Sequence, residues 1–170
     1  MCRGHPDCII SALWCCWGIK VKFTEEKQDG LRIYSYDAHR INLLIPRELH
    51  VDVPVDPDTG LSPLTSSFII TRGQLITDWP VSRFEDLDVA AMEIVCQLEP
   101  ELIILGTGSR LQFPATEITL PVHEAGIGLD VMDTTAACRT FNVLSAEGRH
   151  VAAALIINLP VTHLNKASTE

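Results

Sequence analysis

The feature that most constrains this chain is a pair of apolar runs that each end abruptly in a polar loop. Leu102-Ile-Ile-Leu105 runs into Gly106-Thr-Gly-Ser-Arg110, and Ile127-Gly-Leu-Asp-Val-Met132 runs into Asp133-Thr-Thr-Ala-Ala-Cys-Arg-Thr-Phe-Asn142. The two junctions lie about 25 residues apart, the length of one strand–helix–strand step. A short uninterrupted apolar run suits a strand covered on both faces. Helices between parallel strands impose right-handed crossovers, so this half of the chain reads as a layered α/β sheet with polar loops at its strand ends.

Upstream the pattern changes to period two. Leu31, Ile33 and Ser35 alternate with Arg32, Tyr34 and Tyr36, and Ile41, Leu43 and Ile45 repeat the alternation after the turn Asp37-Ala-His39. An antiparallel hairpin is the expected result. Val53-Pro-Val-Asp-Pro-Asp-Thr-Gly-Leu-Ser-Pro63 reads as a surface loop. Ser67 to Thr71 reads as a strand, with Leu75-Ile76 as a short partner. Ser82-Arg-Phe-Glu85 has the form of a capping box, opening a helix with the apolar stripe Phe84, Leu87, Ala91, Ile94 and Leu98 and a stop at Pro100. A second helix is expected over 115–125, interrupted by Pro121. A third, capped by Asp133 or Thr134, carries Ala137, Phe141 and Leu144 inward and stops at Gly148. Val151 to Ile157 reads as a last buried strand. At 170 residues the chain fits one domain, placed at 21–160, with 161–170 as a flexible tail.

The formal net charge of −9 argues against a nucleic-acid partner, because phosphate binding calls for clustered Lys and Arg. Cys2, Cys8, Cys15 and Cys16 crowd the amino terminus while Cys96 and Cys138 stand alone, unlike a secreted disulfide framework. Cys2-x-x-His5-x-x-Cys8 lacks the paired spacing of a zinc site, and no metal or cofactor is assigned. The apolar run 8–19 is too short to span a bilayer and has no signal-peptide cleavage pattern. The expectation is that residues 1–20 are a non-native or disordered extension, with Val21 standing where an alternative start codon would be read.

Two loops carry the candidate chemistry. Gly106-Thr-Gly-Ser-Arg110 stands beyond a strand's carboxyl end, where open α/β sheets place ligands. It is neither a dinucleotide fingerprint, since Leu111 replaces the third glycine, nor a P-loop. Asp133 to Asn142 begins a helix whose amides, with Arg139, would suit a carboxylate or phosphate. Gly106, Thr107, Gly108, Arg110, Asp133, Thr134, Arg139 and Asn142 are the candidate binding residues, each with a structural alternative. Cys138 is a poor candidate nucleophile, because it lies well inside the helix and no histidine motif accompanies it. No catalytic residue is assigned.

Taken in order, Asp78-Trp-Pro80, Leu105-Gly-Thr-Gly-Ser-Arg110, Phe113-Pro114, Gly126-Ile-Gly-Leu-Asp-Val-Met-Asp133, Thr135-Ala-Ala-Cys-Arg-Thr-Phe-Asn142 and Glu147-Gly-Arg149 resemble a family of small single-domain α/β proteins of unassigned biochemistry. That family includes the mitochondrial NADH dehydrogenase (complex I) assembly factor three. The similarity runs from about Ser67 to Ile157. The resemblance implies a layered α/β domain with a mixed, mainly parallel central sheet flanked by helices, plus an additional β-hairpin layer. It implies a non-catalytic binding or assembly factor acting through protein contacts, for a membrane-associated respiratory complex. With no transit-peptide pattern, the chain is expected to be of the bacterial type, cytoplasmic and at most peripheral to a membrane, with a protein partner. The opposing expectation is an enzyme or binding protein for a small anionic molecule, using the Gly-Thr-Gly loop and Arg139.

Overall fold

A computed structural model describes residues 30–157 except residue 38. The expected extension at 1–20, the Cys2-His5-Cys8 pattern, the apolar run at 8–19 and the tail at 161–170 lie outside the described residues.

Among the described residues the amino-terminal part is a three-stranded antiparallel sheet, β1 (Arg32–Tyr36), β2 (Ile41–Leu44) and β3 (Leu61–Leu64), in that order. The expected hairpin is its first two strands. Ile33 faces Leu43 and Tyr36 faces Ile41, with a register shift between Ile33 and Ser35 that leaves Tyr34 pointing out, 66% exposed. The third strand corrects the reading of 53–63 as all loop. Leu61 and Ser62 belong to it, and Pro63 sits opposite Asn42 within it. Proline lacks a backbone donor but is tolerated on an edge strand, where one side of the ladder is unpaired. The Ser62 hydroxyl is buried with no hydrogen-bond partner among the described residues.

The second sheet has five strands. They are β4 (Phe68–Ile70), β5 (Leu75–Ile76), β6 (Leu102–Gly106), β7 (Gly128–Met132) and β8 (Val151–Leu155), in the order β5-β4-β8-β6-β7. β6 pairs in parallel with both β7 and β8 over five positions each, while β4 pairs antiparallel with β8 and with β5 over shorter ladders. The sheet is therefore mixed, with its longer ladders parallel. The last strand enters between the first and the middle ones, and every residue of β8 is buried.

Among the described residues three helices cover this sheet: α1 (Val89–Cys96), α2 (Thr116–Glu124) and α3 (Thr134–Ala146). α1 begins six residues later than Ser82-Arg-Phe-Glu85 suggests, because two aspartates capture the chain first. Asp86 accepts the Arg83 N–H at 3.0 Å and closes a 3₁₀ turn over Phe84–Asp86. Leu87 is extended, and Asp88 then caps α1 by accepting the Ala91 N–H at 2.7 Å. The inward stripe shifts with the start: Ala91, Met92 and Val95 are buried and Ile94 is only half-buried. α2 continues through Pro121, which lacks a backbone donor, and is held by buried Val122.

Each face of the five-stranded sheet has its own core. Ile69, Ile103, Leu105, Ala152 and Ala154 pack under α1 and α2 with Met92, Val95, Val122 and Trp79, whose indole N–H reaches the Ala91 carbonyl at 3.1 Å. Phe68, Ile70, Ile104, Ala153 and Leu155 face the other way, onto Ala137, Cys138 and Phe141 of α3 and onto Ile33, Ile41 and Leu43 of the small sheet. The small sheet thus forms part of the third layer, beside α3.

Candidate functional site

The two loops do converge at the carboxyl ends of β6, β7 and β8, and two threonine hydroxyls lace them together. Thr134 Oγ1 accepts the Gly108 N–H at 2.9 Å and donates to the Ile156 carbonyl at 2.7 Å, while the Thr134 N–H returns to the Gly108 carbonyl at 2.9 Å. Thr107 Oγ1 lies between the Arg110 and Met132 carbonyls, at 2.8 and 3.0 Å, and accepts from the Gln112 N–H. The Thr107 N–H also binds the Met132 carbonyl, and the Ile156 N–H binds the Gly106 carbonyl, each at 2.9 Å. This accounts for the glycines. A Cβ on Gly106 would meet Leu155 Cδ2 at 2.9 Å and Thr134 Cα at 3.1 Å, and Gly108 has φ +94°.

The amino end of α3 is similarly occupied. Asp133 caps it, accepting the Ala136 N–H at 2.9 Å on its side chain and the Ala137 N–H at 2.9 Å on its carbonyl. With the Thr134 amide bonded to Gly108 and a carboxylate already at the cap, this end is not the open set of amides that the sequence suggests.

Further along α3, Arg139 and Asn142 reach β1. Asn142 accepts the Ile33 N–H at 3.0 Å and donates to the Ile33 carbonyl at 2.7 Å, pairing the free edge of β1 as a neighbouring strand would. Arg139 donates to the Tyr36 hydroxyl at 3.0 Å. Arg110 sits apart from them, exposed, with a long 3.4 Å bond to Gln112.

Between the β1–β2 turn and the start of α3 lies a cleft of about 360 Å³, lined by Tyr36, Asp37, Ile41, Gly108, Ser109, Thr134, Thr135, Cys138, Ile156 and Ile157. Of the sequence-derived candidates, Gly108 and Thr134 line it and Arg139 touches its wall through Tyr36. Gly106, Thr107, Asp133 and Asn142 build the scaffold behind it. Tyr36, Asp37 and Ile41 were missed as site residues, because they come from the other sheet and nothing in local sequence ties them to α3.

The chemistry available in the cleft is modest. Burial pushes the Cys138 thiol up to about 12, outweighing the lowering by adjacent Arg139, so it is held as the poorly nucleophilic thiol. Among the described residues no histidine lines the cleft. The His39 N–H holds the exposed Asp37 carboxyl below the usual range, with smaller help from Arg40. Among the described residues no three His, Cys, Asp or Glu side chains gather as metal ligands, and no helix is long and apolar enough to cross a membrane.

The architecture is that of a known class of small α/β domain. It is similar to a Bordetella pertussis protein described as a Mth938-like domain, at 22% identity over 78% of this chain and 88% of the other, with a TM-score of 0.59. A Xanthomonas campestris protein is similar at 34% identity over 80% and 92% of the chains, with a TM-score of 0.60. Residues 58–156 match the family described as "Protein of unknown function (DUF498/DUF598)", and the chain belongs to that family. Its relatives include proteins named NADH dehydrogenase (ubiquinone) 1 alpha subcomplex assembly factor 3. The one from Danio rerio is 41% identical over 134 residues, 78% of this chain and 67% of the relative. That from Drosophila melanogaster is 35% identical over 147 residues, 84% of this chain and 65% of the relative. Against the Bos taurus protein the chain spans 46% of the relative's length, at 35% identity. The kinship expected from the ordered motifs is therefore present.

Proposed function

We propose that this protein is a non-catalytic assembly factor that works by protein contact, in the cytoplasm and peripheral to a membrane, on a respiratory complex of the kind its relatives are named for. The observation that carries this reading is the use of the polar groups at the strand ends. The hydroxyls of Thr107 and Thr134, the Asp133 carboxylate and the Asn142 amide all bond to backbone, which stiffens a platform. An enzyme acting on a small anion needs a base or nucleophile aimed into its pocket, with an orienting partner. Among the described residues the cleft offers instead a buried thiol pushed up to about 12 and no imidazole.

The test is purification of the tagged full chain from its native cells after mild chemical crosslinking. Subunits of a membrane-bound NADH-oxidising complex, or of its assembly intermediates, should accompany the protein reproducibly. Recovery of the protein alone, from both the soluble and the detergent-extracted membrane fractions, would overturn the proposal.

A further inference from the structure

Among the described residues, no carboxylate pairs with Arg139, although the fold holds it in place. The ion pairs among the described residues are Arg40–Asp37, Arg83–Asp86 and Arg149–Glu101, and Arg139 is in none of them. Among the described residues it donates to the Tyr36 hydroxyl, which is itself part of the cleft wall. The rim's own acid is already engaged, since Asp37 accepts the His39 N–H at 2.8 Å and lies 3.7 Å from Arg40. Thr135, Cys138 and Arg139 stand at i, i+3 and i+4, so one face of α3 supplies two lining residues and the cation beside them.

The remaining wall is mostly apolar: Ile41, Ile156, Ile157, the Tyr36 ring and the Cys138 side chain. A volume of about 360 Å³ is at the small end for ligand pockets and suits one large side chain. An apolar socket with an exposed guanidinium held to its wall through Tyr36 has the anatomy of a binding hot spot, where a buried anchor is flanked by a charged contact. A guanidinium already fixed by Tyr36 loses little freedom on meeting a carboxylate.

We propose that this cleft docks a partner protein by taking a large apolar side chain next to an Asp or Glu, whose carboxylate pairs with Arg139. The inference rests on the protein-contact reading above and names the chemistry of the contact.

The ¹⁵N-labelled full chain is titrated with acetyl-Phe-Glu-amide and with acetyl-Phe-Lys-amide at low ionic strength. Saturable shifts are expected at the amides of Tyr36, Thr135, Cys138 and Ile157, with the glutamate peptide about fivefold or more tighter, the size of one screened charge contact. Arg139→Gln should bring the two peptides together, and Thr135→Phe or Ser109→Phe, which fill the cleft from exposed positions, should abolish the shifts. Absence of saturable shifts, a preference that survives Arg139→Gln, or tighter binding of free 3-phenylpropionate than of the peptide would overturn the proposal. In the crosslinking experiment, equal recovery of the partner by wild type, Arg139→Gln and Thr135→Phe removes the cleft but keeps the protein-contact reading. Absence of any partner with the wild type removes that reading itself.

Discussion

Replacing Thr134 by Val keeps the shape of the side chain and deletes one hydroxyl, which isolates what that hydroxyl does. In the native protein it accepts from the Gly108 N–H at 2.9 Å and donates to the Ile156 carbonyl at 2.7 Å, and both of those residues are buried. The valine leaves a donor and an acceptor without partners at the junction of β6, β8 and α3. Each buried orphan costs about 1–3 kcal/mol. Because the Ile156 carbonyl can reorient slightly, the total is placed at about 2–4 kcal/mol. For a domain of this size that corresponds to a fall in Tm of roughly 6–16 °C. Thr134→Ser restores the hydroxyl and loses a methyl group, for about 1 kcal/mol. The assay is urea unfolding followed by tryptophan fluorescence, reading the midpoint at constant slope. A valine variant that loses no more stability than the serine variant would refute the account of the Gly-Thr-Gly loop as a structural bracket.

Two other outcomes are expected. Asn142→Leu removes the side-chain pairing of Ile33, so the Ile33 amide should exchange with solvent at least about tenfold faster, the effect of losing roughly 1.4 kcal/mol of local protection; unchanged exchange would show that β1 does not depend on α3. Cys138 gives a pH dependence: its folded pKa is raised to about 12 from the usual 9.0, so above pH 9 the unfolded chain ionises while the folded one does not. Its contribution is flat below pH 9, and stability then declines as pH rises toward 12, by up to about 1.4 kcal/mol per pH unit. The slope should flatten in Cys138→Ala, and equal slopes in the two proteins would contradict the buried, protonated thiol.

How much of this was legible depends on the range of the interaction. Leu102 to Leu105 reads as a buried strand because an apolar run needs no distant information, and β6 is buried as expected. Asp133 reads as a cap because capping involves bonds within one turn. The start of α1 was misplaced by a local competition: Ser82, Asp86 and Asp88 are all plausible caps, and propensity does not rank them once tertiary packing sets which apolar face turns inward. β3 was missed because Pro63 and Ser62 speak against a strand, and only pairing with β2 makes Leu61–Leu64 one. Tyr36 and Arg139 are 103 residues apart in sequence, and Ile33 and Asn142 are 109 apart, so neither contact leaves a local trace.

Sequence alone determined the class of the fold, the order of its strand ends and the family, because these rest on periodicity, caps and motifs that act within a few residues. Tertiary structure decided that β8 inserts between β4 and β6, that the threonines bond inward, and that the small sheet closes against α3 to form a cleft beside Arg139. The physical reason is that side-chain bonding and cavity shape belong to surfaces brought together by the chain's long-range pairing, and one segment read by itself carries only half of each contact.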